Sequence, residues 1–415
     1  MSVPPTTGLP ATQTKLVLHG IGQRYHLDAN AQIPSPHEDD EFLLRAEYIG
    51  LNPIDWKAPD FGFGIPALPF IPGREAYGSV ITLPRQPSRL RIGDSFAFVS
   101  TDYRDPRKAT CQRYIVAKSS NVIGIPPHVS PAEASAFGVA AVTATLALGV
   151  CGGLSFAEVA NGPDLLDIVQ NIDESRLASD VRAECRHGIT RRERLSSGDW
   201  VAIWGASSTC AFVMNQLARL AGLRTILVID TAKHGRHLTD EPAYKADLVV
   251  DSKNPTRAIE IVRAVTLGSL RFGIDCVGKT TAAQLLQCLA SVSADDRARL
   301  VSSTRSDSGS STPSSSPPSP ADSAVAPLDA HLIGLTGVPK ETGDVHSHNV
   351  PVKIFHEIDE VGQEIVLWLE RLLSVKSLKP PRILGVVDGL EAINDGLERM
   401  RRGEISGGRL VAKTS

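Results

Sequence analysis

The hydrophobic positions change rhythm partway along this chain. In the first third, short apolar runs broken by glycine and proline predict strands at 14–19, 41–50, 95–99 and 113–117, with 51–78 mostly loop. Ser130-Pro131-Ala132-Glu133 predicts a helix start, with Ser130 as N-cap and Glu133 closing a capping box. The Ala/Val/Leu-rich helix that follows over 139–148 reads as buried. From Val201 onward strand and helix alternate. VAIWG precedes a helix over 211–221, and TILVID (225–230) and DLVVD (247–251) precede a helix near 256–266. GIDCVG (273–278), a helix near 280–290 and ARLVSS (298–303) continue the series. LIGLTG (332–337), a helix over 352–374, RILGVV (382–387), a helix over 389–401 and GGRLVA (407–412) complete it. Such alternation predicts a doubly wound parallel sheet of the α/β class.

Two stretches interrupt this rhythm. Residues 153–196 are charged and helical in pattern and read as a surface insertion of one or two helices, with partner docking as the alternative. Residues 302–324, SSTRSDSGSSTPSSSPPSPADSA, are too poor in apolar side chains to order themselves and read as a disordered loop.

At 415 residues the chain is long enough for two domains. The predicted division is 12–140 and 346–415 for a β-rich catalytic domain built from both ends of the chain. The nucleotide-binding domain is placed at 141–345, carrying both insertions. A net charge of −3 argues against nucleic acid or an anionic membrane as partner. No run of about eighteen apolar residues occurs, and the opening MSVPPTTGLPATQ lacks the basic and apolar regions of a signal peptide. The six cysteines are scattered through apolar context with no C-x-x-C pair, as reduced thiols in a cytoplasmic protein would be.

Gly205-Ala206-Ser207-Ser208-Thr209-Cys210 follows a strand and opens a helix, as a pyrophosphate-binding turn does, although Ser207 and Cys210 stand where a G-x-G-x-x-G fingerprint has glycines. After the next strand Asp230 suits a ribose 2′-hydroxyl, whereas Thr231, Lys233, His234 and Arg236 suit a 2′-phosphate. The residues offer both, and the loop's net charge leans to NADPH.

The segments LNPIDWK (51–57) and PFIPGREAYGSV (69–80), with GEISGGRLV (403–411) near the end, resemble the medium-chain dehydrogenase/reductase superfamily. That resemblance implies a Rossmann domain beside a GroES-like β-rich catalytic domain. Its zinc-dependent members carry Gly-His-Glu where this chain has Gly73-Arg74-Glu75, and a guanidinium cannot ligate zinc, so no metal is expected. Within the zinc-free branch, NPIDWK, GASSTCA and ISGGRLV are similar to fungal enoyl reductases that act in trans with a polyketide synthase, some of them hybrid with a peptide synthetase.

The resemblance implies NADPH as cofactor, a monomer, and a carrier-bound α,β-unsaturated acyl thioester as substrate. Carried over by position, the cofactor contacts are Ile54, Asp55, Trp56, Lys57, Ser207, Ser208, Thr209 and Cys210. Thr231 and Lys233 fall near the 2′-phosphate, Tyr244 near the adenosine, and Ile405 and Ser406 near the nicotinamide. Thr143, Ala144, Thr145, Gly334, Leu335, Thr336, Gly337 and Val338 line the substrate cleft. Hydride addition at the β-carbon leaves an enolate that needs a proton. Lys57 is the candidate donor, with Tyr77 second and a purely cofactor-binding Lys57 as the plainer alternative. A quinone oxidoreductase and a non-catalytic NADPH-binding docking protein are the competing functions.

Overall fold

Two sheets share the molecule, and the chain leaves the first, builds the second and returns. The computed structural model describes residues 8–290 and 328–414. β1 (Gln13–Val17) and β2 (His26–Ala31) form an antiparallel pair at the N-terminal side. The larger sheet begins with the ten-residue β3 (Glu41–Gly50), whose alternating apolar face is closed by Phe42, Leu44 and Ile49. A short helix, α1 (Pro53–Phe61), leads to β4 (Glu75–Val80), β5 (Ser95–Val99), β6 (Tyr114–Lys118) and β7 (Val122–Gly124).

Ser130 caps α2 (Pro131–Ser135) through the expected capping box, in which Glu133 accepts the Ser130 N–H at 3.0 Å. The apolar α3 (Gly138–Leu146) follows and packs on the helix that opens the second sheet. The expected domain boundary at 140 falls inside this helix, whose side chains belong to the nucleotide-domain core.

The stretch 153–196 folds into α4 (Leu165–Asn171) and α5 (Ser179–His187). It is not a surface appendage. Phe156, Leu165, Leu166, Val169, Leu177 and Cys185 are buried in the same core as α3, and the Phe156 ring lies 4.4 Å from that of Trp368. The Trp368 indole N–H donates to the Val159 carbonyl at 2.8 Å.

The second sheet is built from β8 (Trp200–Trp204), β9 (Arg224–Ile229), β10 (Leu248–Asp251), β11 (Phe272–Asp275), β12 (His331–Gly334) and β13 (His346–Asn349). The helices α6 (Thr209–Leu220), α7 (Thr231–Asp240), α8 (Pro255–Val265) and α9 (Lys279–Leu286) alternate with them. Every ladder is parallel, in the order β10-β9-β8-β11-β12-β13. The direction of winding reverses between β8 and β11, and in such sheets ligands bind at the carboxyl ends of the strands beside that switch. The strand expected at 298–303 and the loop at 302–324 lie outside the described residues.

The C-terminal segment does not return to the first sheet at 346. β13 pairs with β12 as the sixth parallel strand, and α10 (Ile354–Glu357) and α11 (Asp359–Ser374) pack into the nucleotide-domain core. The single helix expected over 352–374 is broken at Ile358, which has extended backbone. Only β14 (Ile383–Asp388), α12 (Ile393–Arg401) and β15 (Arg409–Lys413) complete the first sheet, in the order β14-β15-β3-β4-β5-β7 with β6 also on β3.

Because 153–196 is part of the core, Phe156→Ala should cost about 3–5 kcal/mol in urea unfolding. A surface insertion would lose roughly 0.5 kcal/mol or less.

Candidate active site

Glu75 opens β4 and Arg409 opens β15, and their side chains meet in an ion pair that is almost completely shielded from water. Asn52, ahead of α1, completes the junction: its amide donates to Glu75 Oε1 at 3.0 Å, and its Oδ1 accepts from Arg409 Nη2 at 2.6 Å. The other Glu75 oxygen accepts the Val139 N–H at 2.9 Å. That N–H belongs to the first turn of α3, where no intrahelical acceptor exists and negative charge is favoured. One carboxylate thus ties the β-rich sheet to the first helix of the nucleotide domain.

Asp55 is 2% exposed and accepts the Asn52 N–H at 2.7 Å, closing the start of α1. Burial pushes its carboxyl up to about 6, against the pull of Arg74 and Arg409. Its carboxylate therefore serves the helix start. Arg74 is buried too, its guanidinium 3.7 Å from the Tyr103 ring centroid, and burial lowers its pKa. A cation held there has no lone pair to offer a metal.

The phosphate turn faces this junction. Gly205 has φ 78°, and a Cβ on it would lie 2.3 Å from Val277 Cγ2, so the turn requires glycine. Ser208 caps α6 by accepting the Ala211 N–H at 3.2 Å. Ser207, Ser208, Thr209 and Cys210 are all half-buried at this helix start. Burial pushes the Cys210 thiol up to about 11, with Arg409 and Glu75 both close enough to act on it electrostatically. The pyrophosphate turn therefore abuts the Glu75–Arg409 pair.

Across the switch point Asp275 accepts the Val277 and Gly278 N–H groups at 2.9 and 2.7 Å, and its carbonyl accepts the Leu335 N–H at 2.9 Å. Gly334, at the end of β12, and the turn through Leu335, Thr336, Gly337 and Val338 thus form a neighbouring rim of the same crevice. On α3 only Val139 and Thr143 are partly open. Ala144 and Thr145 are fully enclosed, so they do not line a cleft as expected.

At the end of β9, Asp230 caps α7 by accepting the Lys233 N–H at 3.0 Å and pairs with Lys253 at 3.0 Å. Those contacts hold its carboxyl below the usual range. Thr231 donates from N–H and hydroxyl to Asp251 at 3.1 and 3.0 Å. His234 joins from one turn on, with Ser406 Oγ 3.1 Å from its Nε2. Ser406, expected near the nicotinamide, therefore stands beside His234 on α7. Ile405 packs toward the β-rich core.

Tyr244, expected near the adenosine, precedes β10 and is buried between Phe212 and His237 at ring separations of 4.4 and 4.9 Å. It lines a cavity of ≈ 420 Å³ with Phe212, His237, Lys379 and Arg382. The turn that carries it packs against both α6 and α7.

On α1, Ile54, Trp56 and Lys57 are half-buried. Lys57 Nζ lies 5.6 Å from the Trp56 ring centroid and, among the described residues, forms no ion pair. Tyr77 is half-buried against the nucleotide-domain core.

Glu75, Arg409 and Lys253 escaped the sequence reading. The available signal was a carboxylate and a guanidinium each opening an otherwise apolar strand, EAYGSV and RLVAK.

Glu75→Gln strands Arg409 in the interior and should destabilise the protein by about 3–5 kcal/mol in urea unfolding. Asp55 carries a pH signature. Its folded-state pKa is raised, so its contribution to stability is complete below the ordinary carboxyl range and is lost as pH rises through about 6. Asp55→Asn, whose amide oxygen still accepts the Asn52 N–H, should therefore gain on the wild type between about pH 4 and 6. Urea titrations across that window should show a gain of up to about 2–3 kcal/mol.

Comparison with known proteins agrees with this architecture. Residues 38–158 match the alcohol dehydrogenase GroES-like domain. Trans-enoyl reductase thnE of Trichoderma harzianum is 28% identical over 298 residues, 70% of this chain and 70% of its own length. Trans-enoyl reductase buaC of Petromyces alliaceus is 23% identical over 418 aligned positions, 97% of either chain. The crystal structure of the quinone oxidoreductase from Coxiella burnetii superposes with a TM-score of 0.61 at 17% identity, over 97% of this chain and 99% of that one. The chain thus has the two-domain fold of the medium-chain dehydrogenases and reductases, and it resembles fungal trans-enoyl reductases over nearly its whole length.

Proposed function

We propose that this chain is an NADPH-dependent, zinc-independent enoyl reductase, working as a monomer on an acyl thioester presented by a polyketide synthase. The observation that carries the cofactor choice is the start of α7. Asp230, the residue that would repel a 2′-phosphate, is turned onto its own helix and paired with Lys253, while Lys233 and His234 stand beside it. The glycine-dependent turn at Gly205 leaves the α6 N-terminus open to a pyrophosphate. The names of the relatives support reduction of a conjugated double bond, and the sequence resemblance supports the synthase as partner.

NADPH, when bound, supplies a hydride. The chain's own residues then have three tasks. Ser207, Ser208 and Thr209 hold the pyrophosphate, with Arg409 behind them. Thr231, Lys233 and Ser406 hold the phosphorylated ribose. The rim formed by Thr143 and the 334–338 turn would orient the acyl chain, and Lys57 would deliver the proton that the α-carbon needs.

The test is turnover of purified protein with NADPH and two acceptors, an α-methyl enoyl pantetheine thioester and a free quinone. We expect saturable reduction of the thioester and a KM for NADPH that rises about tenfold or more in Lys233→Ala, with little change for NADH. Preference for the quinone would replace this reading with a quinone oxidoreductase. Tight NADPH binding without turnover of either acceptor, alone or with the synthase present, would favour a docking protein.

A further inference from the structure

The outer edge of the parallel sheet holds a buried run of metal-binding side chains that hydride transfer does not use. β12 and β13 set His331 and His348 side by side, with His331 Nδ1 2.9 Å from His348 Nε2. The other ring nitrogen of His348, Nδ1, lies 2.8 Å from Glu184 Oε1 on α5. Cys151, in the wide turn that ends the α3 segment, reaches the same point. Single ligand atoms of Cys151, Glu184 and His348 all lie within 4.8 Å of one another. Cys151 is 0% and His348 1% exposed, while Glu184 is partly open.

A carboxylate in such surroundings requires a cation. Among the described residues the one basic partner of Glu184 is His348. The arginines on either side of it along α5 turn elsewhere: Arg182 to Glu174 and the Leu177 carbonyl, Arg186 to the carbonyls of Gln170 and Ile172. What faces Glu184 instead is the Cys151 thiol. His331 Nδ1, 2.9 Å from His348 Nε2, can accept a hydrogen bond from the Nε2–H tautomer of His348. That tautomer leaves the Nδ1 lone pair of His348 directed at Glu184 and Cys151.

We propose that Cys151, Glu184 and His348 form a three-ligand site for one divalent transition-metal ion, zinc by its donor set, with His331 as the outer partner of the ligating histidine. Thiolate, imidazole and carboxylate bind zinc at about 2.0–2.3 Å, which places tetrahedral neighbours about 3.3–3.6 Å apart. Small side-chain rotations would open the 2.8 Å His348–Glu184 contact and bring the cluster to that spacing. Binding releases the Cys151 thiol proton and turns its sulfur into the charged ligand. The ion clamps three elements together: the turn after α3, the inserted α5 and the edge strand β13. It lies outside the cofactor crevice, and the zinc-free reading of that crevice, drawn from Gly73-Arg74-Glu75, is unaffected.

The experiment uses full-length protein stripped with chelator and titrated with Zn²⁺ or Co²⁺ alone. The expected result is one equivalent per chain, with a thiolate-to-Co²⁺ charge-transfer band in the near ultraviolet. Cys151→Ser should abolish the band and weaken Zn²⁺ binding by more than the roughly 10–100-fold that loss of an outer partner costs. His331→Gln should keep the band and fall within that range. Cys185→Ser should change neither reading. His346→Ala, which breaks up the more open Glu193/Asp329/His346 group, should also leave both unchanged. Absence of a stoichiometric ion would overturn the proposal, as would a Co²⁺ spectrum without thiolate character. The wild-type spectrum decides this even if Cys151→Ser does not fold.

Discussion

A carboxylate and a guanidinium enclosed together, Glu75 and Arg409, hold the molecule's parts in register. Each opens a strand, one from the first quarter of the chain and one from its last few residues. Neither charge could remain in that interior alone, because an unpaired buried ion costs several kcal/mol. The pair satisfies its remaining hydrogen-bonding capacity through Asn52 and the Val139 N–H. The chain ends are thereby joined into one sheet, that sheet is tied to α3, and the junction lies against the α6 N-terminus. A cofactor seated on the Gly205 turn would rest against the same network that joins the domains.

This constraint explains the division of labour among the charged groups. Asp55 and Arg74 are buried beside the junction and serve structure: one closes α1, the other stacks on Tyr103. The charges free to select a ligand lie at the other end of the crevice, around α7. There Asp230 is committed to Lys233 N–H and Lys253, and Asp251 takes both Thr231 donors. The Arg74 guanidinium has no lone pair to offer a metal.

Much of the fold was legible in the residues, and the failures have physical causes. The segments 41–50 and 95–99 became β3 and β5 with the same bounds, since most of their residues are buried and the apolar runs report burial. β13 was missed because HSHN carries no apolar alternation. Its histidine at 348 is buried through polar partners, which hydrophobic periodicity does not register. The 153–196 insertion was misjudged because charges flank a narrow stripe of Leu165, Leu166, Val169, Val181 and Cys185 that suffices to bury two short helices. Of the site, the phosphate turn and the Asp230 loop were visible as local motifs. The surroundings of Tyr244 and Ser406, against Phe212 and His234, were not legible because tertiary packing, which local sequence does not encode, decides them.

The central claim is that this crevice passes a hydride from NADPH to a conjugated acyl thioester. It is tested most directly with 4R- and 4S-deuterated NADPH and an α-methyl enoyl pantetheine thioester, following label by mass spectrometry. The account predicts deuterium on the β-carbon from one isotopomer only, with the α-carbon proton drawn from solvent. Label transferred from both isotopomers alike, or deuterium found at the α-carbon, would contradict it.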